Sequence, residues 1–274
     1  TLVAAAMDLA PMTLQVSATS FRSYDWIQGT KVIAETEGLL IDNKRIDFNS
    51  AQVWILRPDL GEPLPQDQII LRLERFTELL LEKGNPDGLL PYLCHTSCMK
   101  STRLCDHKPM TNSYVTFIES RLDQFVAAYF DSTDRGEAKT VEAFSRIVGF
   151  GPGLTPATDD FVAGVMAACL WVPFGCFMDR DALVRRNQKL AQIARDKTTY
   201  VSESMLEHAA RGRIASKYAD LLKRLCYESL EDLESVTLKA LNHGDTSGTD
   251  FLTGAAVAMN LTLSDKSAEF QGRV

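Results

Sequence analysis

A loop rich in glycine constrains this chain more than any other segment. Three alternate glycines stand in the run 149–160, GFGPGLTPATDD. Because glycine has no Cβ atom, the backbone N–H groups of such a loop can approach a ligand closely. Thr155 is the expected N-cap of the helix that follows, and Pro156 its first residue. A glycine loop at the positive end of a helix favours an anionic ligand.

Two acids, Asp159 and Asp160, lie in the first turn of that helix, which continues into the apolar run 161–170. Beside an anion each carboxylate costs about 1 kcal/mol at 4 Å in water, and more when buried. A bridging Mg²⁺ ion, a neutralising Arg146 or Arg211, or a role as general base would resolve this conflict. The other interpretation is that the acids only balance the helix dipole.

Composition narrows the class of protein. The 274 residues are 45% hydrophobic, which is enough for a sizeable core. A net charge of -7, from 29 basic and 36 acidic residues, argues against binding nucleic acid or an anionic membrane. No apolar run approaches the roughly 20 residues that span a bilayer. We therefore expect a soluble, cytoplasmic protein with reduced cysteines.

The pattern of apolar residues divides the chain into four parts: a flexible lead-in over 1–19, a small β module over 20–67, a helical body over 68–264 and a loose tail over 265–274. Strands are expected at 31–35, 38–41, 45–48 and 52–56, with a hairpin turn at 42–44. Helices are expected at 68–84, 113–130, 137–148, 157–172, 181–196, 199–211, 215–227, 230–242 and 248–261. The predicted fold class is α+β and mainly α, with glycine-rich loops at helix N-termini.

The glycine segment has a partial echo later in the chain. Residues 244–256, GDTSGTDFLTGAA, repeat the Gly, Thr, Thr-Asp, Phe and Gly of residues 153–164 when one position is skipped. Small residues on both helices permit close packing, so the two helix N-termini are expected to meet around one pocket. Chance is the other interpretation, since such residues suit any helix start. A third segment, 198–212, predicts a helix that has hydroxyl side chains in its first turns and ends at Gly212.

A cysteine- and histidine-bearing segment lies between the first two helices: Cys94, His95, Cys98, Cys105 and His107. Its spacing lacks the C-x₂-C pairs of structural zinc sites. We interpret it as part of a polar connection.

The three loop and helix segments, in this order, resemble the AllH family, a subunit type of bacterial oxamate carbamoyltransferase. The family pattern has a GxGPGLTPSxDD loop, a T-x-x-S helix ending in A-x-G, and a late GHTSGxD element. Two positions depart from it. Ala157 stands where the family has Ser, and Asp245 stands where it has His, with His243 two positions earlier.

The resemblance implies carbamoyl transfer between carbamoyl phosphate and oxamate, giving oxalurate and phosphate in allantoin degradation, a branch of purine catabolism. It also implies companion transferase subunits. The candidate catalytic residues are Asp159, Asp160, Asp250 and Ser247. The candidate substrate-binding residues are Gly151, Gly153, Leu154, Thr155, Thr199, Ser202, Thr246, Gly248 and Arg211. No cofactor is required, although Asp159 and Asp160 leave a role for Mg²⁺ open. The alternatives are a carboxylase- or ligase-like enzyme on a small acid, and a non-catalytic scaffold subunit that docks a partner.

Overall fold

Short strands precede a succession of helices in the part of the chain that the computed structural model describes, residues 2–5, 7–53, 60–95, 110–133, 135–173, 178–228 and 232–263. The strands are β1 (Leu2–Val3), β2 (Leu14–Gln15), β3 (Val32–Glu35), β4 (Gly38–Ile41) and β5 (Lys44–Asp47). The helices are α1 (Gln66–Lys83), α2 (Tyr92–His95), α3 (Ser113–Tyr129), α4 (Gly136–Ser145), α5 (Ala157–Trp171), α6 (Arg180–Ala194), α7 (Tyr200–Ala209), α8 (Ser216–Cys226), α9 (Leu233–Leu241) and α10 (Ser247–Leu263). The predicted fold class, mainly α with a small N-terminal β region, is confirmed.

The N-terminal strands form two small sheets. β3, β4 and β5 pair antiparallel in chain order, and the hairpin predicted at 42–44 joins β4 to β5. β1 and β2 pair in parallel, a contact that the sequence did not suggest. The expected strand at 52–56 is absent from residues 52–53, and its remaining residues lie outside the described ranges. The expected tail at 265–274 also lies outside them.

The predicted helices are confirmed as α1 and α3 to α10, with ends that differ from the prediction by at most three residues. Apolar spacing located most of them correctly because one face of the helix is buried, whereas α5 and α10 were found as continuous apolar runs. In α1, for example, Ile69, Leu73, Phe76 and Leu80 recur every three or four residues, and all four are buried. The four-residue helix α2 lies in the segment that we interpreted as a polar connection.

α5 and α10 are the central helices of the core, and every residue of α5 is buried. They pack backbone against backbone. A Cβ atom on Gly164 would lie 1.9 Å from Phe251 O, and a Cβ atom on Gly254 would lie 2.0 Å from Phe161 O. The contacts are reciprocal between residues that the sequence echo aligns, so the expectation of close packing is confirmed. Although both helices are apolar, no helix in the described ranges is long and apolar enough to cross a membrane.

Candidate active site

The glycine loop, residues 149–156, leads from α4 into α5. Its glycines have φ angles of 75°, 122° and 92°, a left-handed region that favours glycine. At Gly149 and Gly151 a Cβ atom would also come within 2.5 Å of neighbouring backbone atoms. Gly153 and Leu154 are exposed. Within the described residues, the N–H groups of Gly151, Gly153 and Leu154 donate to no acceptor. These groups are therefore free to bind a ligand.

The N-cap of α5 lies one residue later than the sequence predicts. Pro156, not Thr155, occupies the N-cap position, with ψ of 141° and no side-chain cap bond, and the helix starts at Ala157. The Thr155 hydroxyl lies instead 2.9 Å from the hydroxyl of Ser247, at the start of α10. The prediction that Thr155 caps α5 is therefore wrong, because a residue from a distant segment takes its hydroxyl group.

Asp159 joins the glycine loop to the start of α7. Its Oδ1 accepts a hydrogen bond from Gly149 N at 2.8 Å, and its Oδ2 accepts from Ser202 Oγ at 2.7 Å and from Thr198 Oγ1. Burial raises the pKa of Asp159, while these N–H and hydroxyl donors oppose the rise. Both carboxylate oxygens are thus engaged in connecting two segments. Asp159 therefore has a structural role, which is to link the glycine loop to the start of α7.

The Thr-x-x-Ser element of α7 uses its two hydroxyl groups differently. Thr199 is the N-cap of the helix and accepts a hydrogen bond from Ser202 N at 3.1 Å. The Thr199 hydroxyl donates to the carbonyl of Leu154 in the glycine loop. Ser202 is fully buried and points to Asp159. This element therefore holds the glycine loop and Asp159 in place through hydrogen bonds.

Asp160 and Asp250 form a buried acidic pair in the first turns of α5 and α10. Asp160 is 3% exposed and Asp250 is not exposed at all. Within the described residues, Oδ2 of each carboxylate has no hydrogen-bond partner. Burial raises the pKa of Asp250 to about 6. Burial raises that of Asp160 as well, with repulsion from Asp250 adding to the rise and hydroxyl groups of Ser247 and Thr155 opposing it. The linked hydroxyls therefore cover a carboxylate with unused hydrogen-bonding capacity.

Residues that the sequence did not single out enclose Asp250. Leu89 N donates to Asp250 Oδ1 at 2.6 Å, and a Cβ atom on Gly88 would lie 2.3 Å from the same oxygen. Tyr218 stacks on Phe251, the residue after Asp250, at a ring-centroid distance of 3.9 Å. Burial raises the pKa of the Tyr218 hydroxyl group, and the charges of Asp160 and Asp250 add to the rise. Nothing in the residues 85–89 themselves points to Asp250, which lies 161 positions after Leu89 in the chain.

The segment 85–89 also explains one departure from the family pattern. Asn85 Nδ2 donates to the backbone oxygen of Asp245 at 3.2 Å and to its Oδ1 at 3.3 Å. Asn85 N donates to Thr249 Oγ1 at 3.0 Å. Asp245 therefore fastens the second loop, residues 244–250, to the turn before α2. At Ala157 the side chain is buried against Gly151.

Thr246 and Gly248 have local contacts in the second loop. The Thr246 hydroxyl bonds to the Asp250 carboxylate and lowers its pKa, while Thr246 O accepts from Asp250 N at 2.8 Å. Gly248 N donates to His243 O at 2.9 Å, so this N–H group is already engaged. A Cβ atom on Gly248 would lie 2.5 Å from Leu241 O. Close packing against the end of α9 thus accounts for this glycine.

The two arginines suggested as counter-charges pair with glutamates instead. Arg146 contacts Glu142 at 2.5 Å, and Arg211 contacts Glu207 at 3.5 Å. Arg211 also lines a cavity of about 140 Å³ between α6 and α7, together with Arg195. Within the described residues, neither arginine forms an ion pair with Asp159 or Asp160. The idea that they neutralise Asp159 or Asp160 has no support in these contacts.

The described ranges hold no group of three or more His, Cys, Asp or Glu side chains arranged to bind a metal ion. His95 contacts Glu119 at 3.2 Å and Met110 O at 3.1 Å. Cys98, Cys105 and His107 lie outside the described ranges, so the interpretation of that segment stays a prediction.

Fold and site together define a mainly helical protein in which two loops meet over a buried pair of carboxylates. Comparison with known families adds a name to that description. The family model described as oxamate carbamoyltransferase subunit AllH matches residues 147–259. The resemblance seen in the sequence is thereby confirmed, and residues 147–259 are similar to this family. No curated protein and no solved structure matches the chain.

Proposed function

We propose that this chain is a subunit of an oxamate carbamoyltransferase and that it binds the small anionic substrates where its two loops meet. The observation that carries the proposal is the contact between the Thr155 and Ser247 hydroxyls over the Asp160 carboxylate, within the stretch that is similar to the AllH family. Three N–H groups of the glycine loop are free beside it. Backbone donors at a helix N-terminus are suited to phosphate and carboxylate groups.

The proposed reaction is attack by the amide nitrogen of oxamate on the carbonyl carbon of carbamoyl phosphate. A C–N bond forms, the bond between the carbonyl carbon and the bridging phosphate oxygen breaks, and phosphate leaves with the electron pair. The nitrogen loses one proton, and the products are oxalurate and phosphate. The protein must therefore orient two anions, stabilise negative charge on the carbonyl oxygen and accept a proton.

Ser247 and Asp160 supply the proton acceptor in this proposal. Ser247 is partly exposed, whereas Asp160 is buried beneath it, so a substrate would contact the hydroxyl and the hydroxyl contacts the carboxylate. The raised pKa of Asp160 makes its carboxylate a stronger base. Ser247 passes its proton to Asp160 as it accepts one from the nitrogen. Thr155 is the positioning residue that orients the Ser247 hydroxyl.

The free N–H groups of the glycine loop supply the remaining stabilisation. One well-placed donor to a developing oxyanion lowers the barrier by roughly 3 kcal/mol. Mg²⁺ is an additional proposal: with Asp159 engaged by its three donors, an ion at this place would be shared between Asp160 and a substrate phosphate.

Calorimetry with carbamoyl phosphate, oxamate and oxalurate tests the proposal, with and without Mg²⁺, on the chain alone and with its companion subunits. Ser247→Ala should reduce the rate of carbamoyl transfer by about 100-fold, the scale of general acid–base catalysis. Ser145→Ala is the matched control, since the Ser145 hydroxyl is exposed and bonds only to Val141 O of its own helix. Wild-type protein that binds none of the three ligands would defeat the proposal. So would transfer that proceeds equally fast in both serine variants.

A non-catalytic scaffold is the second candidate, and the surface of the glycine loop favours it. Leu154 is 71% exposed. Tyr200 is 80% exposed and follows Thr199, whose hydroxyl donates to the carbonyl of Leu154. Exposed apolar side chains of this size often mark protein contacts. Under this candidate Leu154→Asp weakens binding of companion subunits, and the isolated chain binds no small ligand. No observation favours carboxylase- or ligase-like chemistry.

A further inference from the structure

A buried lysine lies beside the second loop, and the mechanism above leaves it unused. Lys217 in α8 is 7% exposed, and its Nζ lies 2.9 Å from Nδ1 of His243. Lysine is almost never buried without a partner, because removing an ammonium group from water is costly. Burial lowers the pKa of Lys217. The imidazole nitrogen of His243 is thus the acceptor that holds this ammonium group.

The contact between these two side chains defines the protonation of the imidazole ring. His243 is an exposed residue, but desolvation around its ring and the charge of Lys217 lower its pKa, so the ring is neutral near pH 7. A neutral imidazole that accepts a hydrogen bond at Nδ1 carries its proton on Nε2. His243 therefore offers one N–H donor on the side of the ring away from Lys217.

His243 lies at the base of the second loop. Its carbonyl accepts from Gly248 N at 2.9 Å, and a Cβ atom on Gly244 would lie 3.2 Å from Ser247 Oγ. The Tyr218 ring stands edge-on to the imidazole at a centroid distance of 6.0 Å. After burial, the charges of Asp160 and Asp250 also raise the pKa of this tyrosine. The imidazole thus stands one short turn of chain away from the proposed proton acceptor.

The other charged groups around Lys217 compensate one another. Asp8 and Lys239 form an ion pair at 2.8 Å, and these two act on the pKa of Lys217 in opposite directions. Asp220 acts on Lys239 as well. Lys217 is thus the cation in direct contact with His243, and its charge acts on the imidazole ring itself.

We propose that His243 binds an anionic oxygen of the ligand through its Nε2–H group, and that Lys217 is the positioning residue that keeps the proton on Nε2. The inference rests on the proposed function, since its ligand is the same small phosphate or carboxylate. It gives a role to the histidine that stands two positions before the one in the family pattern.

Nuclear magnetic resonance of ¹⁵N-labelled protein tests the tautomer without any ligand. The wild type should have the His243 proton on Nε2 alone. Lys217→Met should yield a mixture of tautomers and a raised His243 pKa, because the neighbouring positive charge is gone. Lys239→Met is the matched control and should keep the single tautomer. A proton on Nδ1 in the wild type, or an unchanged tautomer in Lys217→Met, would overturn the inference.

Calorimetry with inorganic phosphate and with oxamate tests the contact to the ligand. His243→Ala should weaken binding by about tenfold or more, as expected for a hydrogen bond to a charged group. In His243→Gln the amide nitrogen takes the place of Nε2, so affinity should stay within about threefold of the wild type. Equal affinity of wild type and His243→Ala would overturn the inference while leaving the proposed function intact. Wild-type protein that binds neither probe would count against both, and the tautomer experiment would still decide the part played by Lys217.

Discussion

Replacing Gly164 by alanine tests the contact between α5 and α10 on which the site depends. Helix propensity alone favours alanine by about 0.5–1 kcal/mol. Packing opposes it, because the new Cβ atom would lie 1.9 Å from the backbone oxygen of Phe251. The helices must separate by about 1.5 Å before that distance becomes an ordinary contact.

The steric term exceeds the propensity term. Overpacking of a close-packed core costs about 1–3 kcal/mol, and sometimes more. A backbone oxygen cannot rotate away as a side chain can, so we expect the upper part of this range and a net loss of about 2 kcal/mol. For a chain of this size such a loss lowers Tm by about 4–8 °C.

Urea and thermal unfolding followed by circular dichroism measure this loss. Gly254→Ala should behave alike, since its Cβ atom would lie 2.0 Å from Phe161 O. The double variant should cost less than the sum of the two, because one separation of the helices accommodates both methyl groups. Gly61→Ala is the control: its φ is 64° and a Cβ atom would meet nothing within 4 Å, so only a backbone cost of about 1 kcal/mol is expected. A Gly164→Ala protein as stable as the wild type, or more stable, would refute the reasoning.

Three further predictions concern the acids. Asp159→Ala leaves three donors without their acceptor and should destabilise the fold by at least about 3 kcal/mol in urea unfolding; a loss below about 1 kcal/mol would contradict the structural part of this acid. The folded pKa of Asp250, about 6, lies above its ordinary 3.8, so the folded state holds the proton more tightly and stability falls as pH rises between these values. The cost above about pH 6 is about 3 kcal/mol, and Asp250→Asn should remove it; parallel stability curves for wild type and variant from about pH 4 to pH 7 would contradict this. Gly88→Ala places a Cβ atom 2.3 Å from Asp250 Oδ1 and should lower both stability, by about 1–3 kcal/mol, and ligand affinity in calorimetry. Gly29→Ala, at a φ of 92° and with nothing within 4 Å of its Cβ atom, should cost only about 1 kcal/mol of backbone strain and leave ligand affinity unchanged.

Local sequence information was sufficient to locate the helices. For most of them the apolar periodicity arises from one-sided burial, whereas α5 and α10, which are buried almost all round, appear as continuous apolar runs. The echo between the segments around Gly164 and Gly254 even indicated which helices pack together. It succeeded because close backbone packing requires small residues at fixed spacing. The N-cap of α5 was misjudged for the opposite reason: the hydroxyl of Thr155 bonds to a residue far away in sequence.

The sequence by itself thus determined the helical body, the exposed glycine loop and the presence of paired acids beside it. Only the tertiary structure decided what each acid does. It brought Asp159 to Gly149 and Ser202, and it left one oxygen of Asp160 and one of Asp250 without a hydrogen-bond partner among the residues that the structure describes. It also brought the imidazole of His243 to Lys217. The physical reason is that the pKa and the hydrogen bonds of a buried group depend on whatever distant segments pack around it, and the residues next to it in the chain do not encode those neighbours.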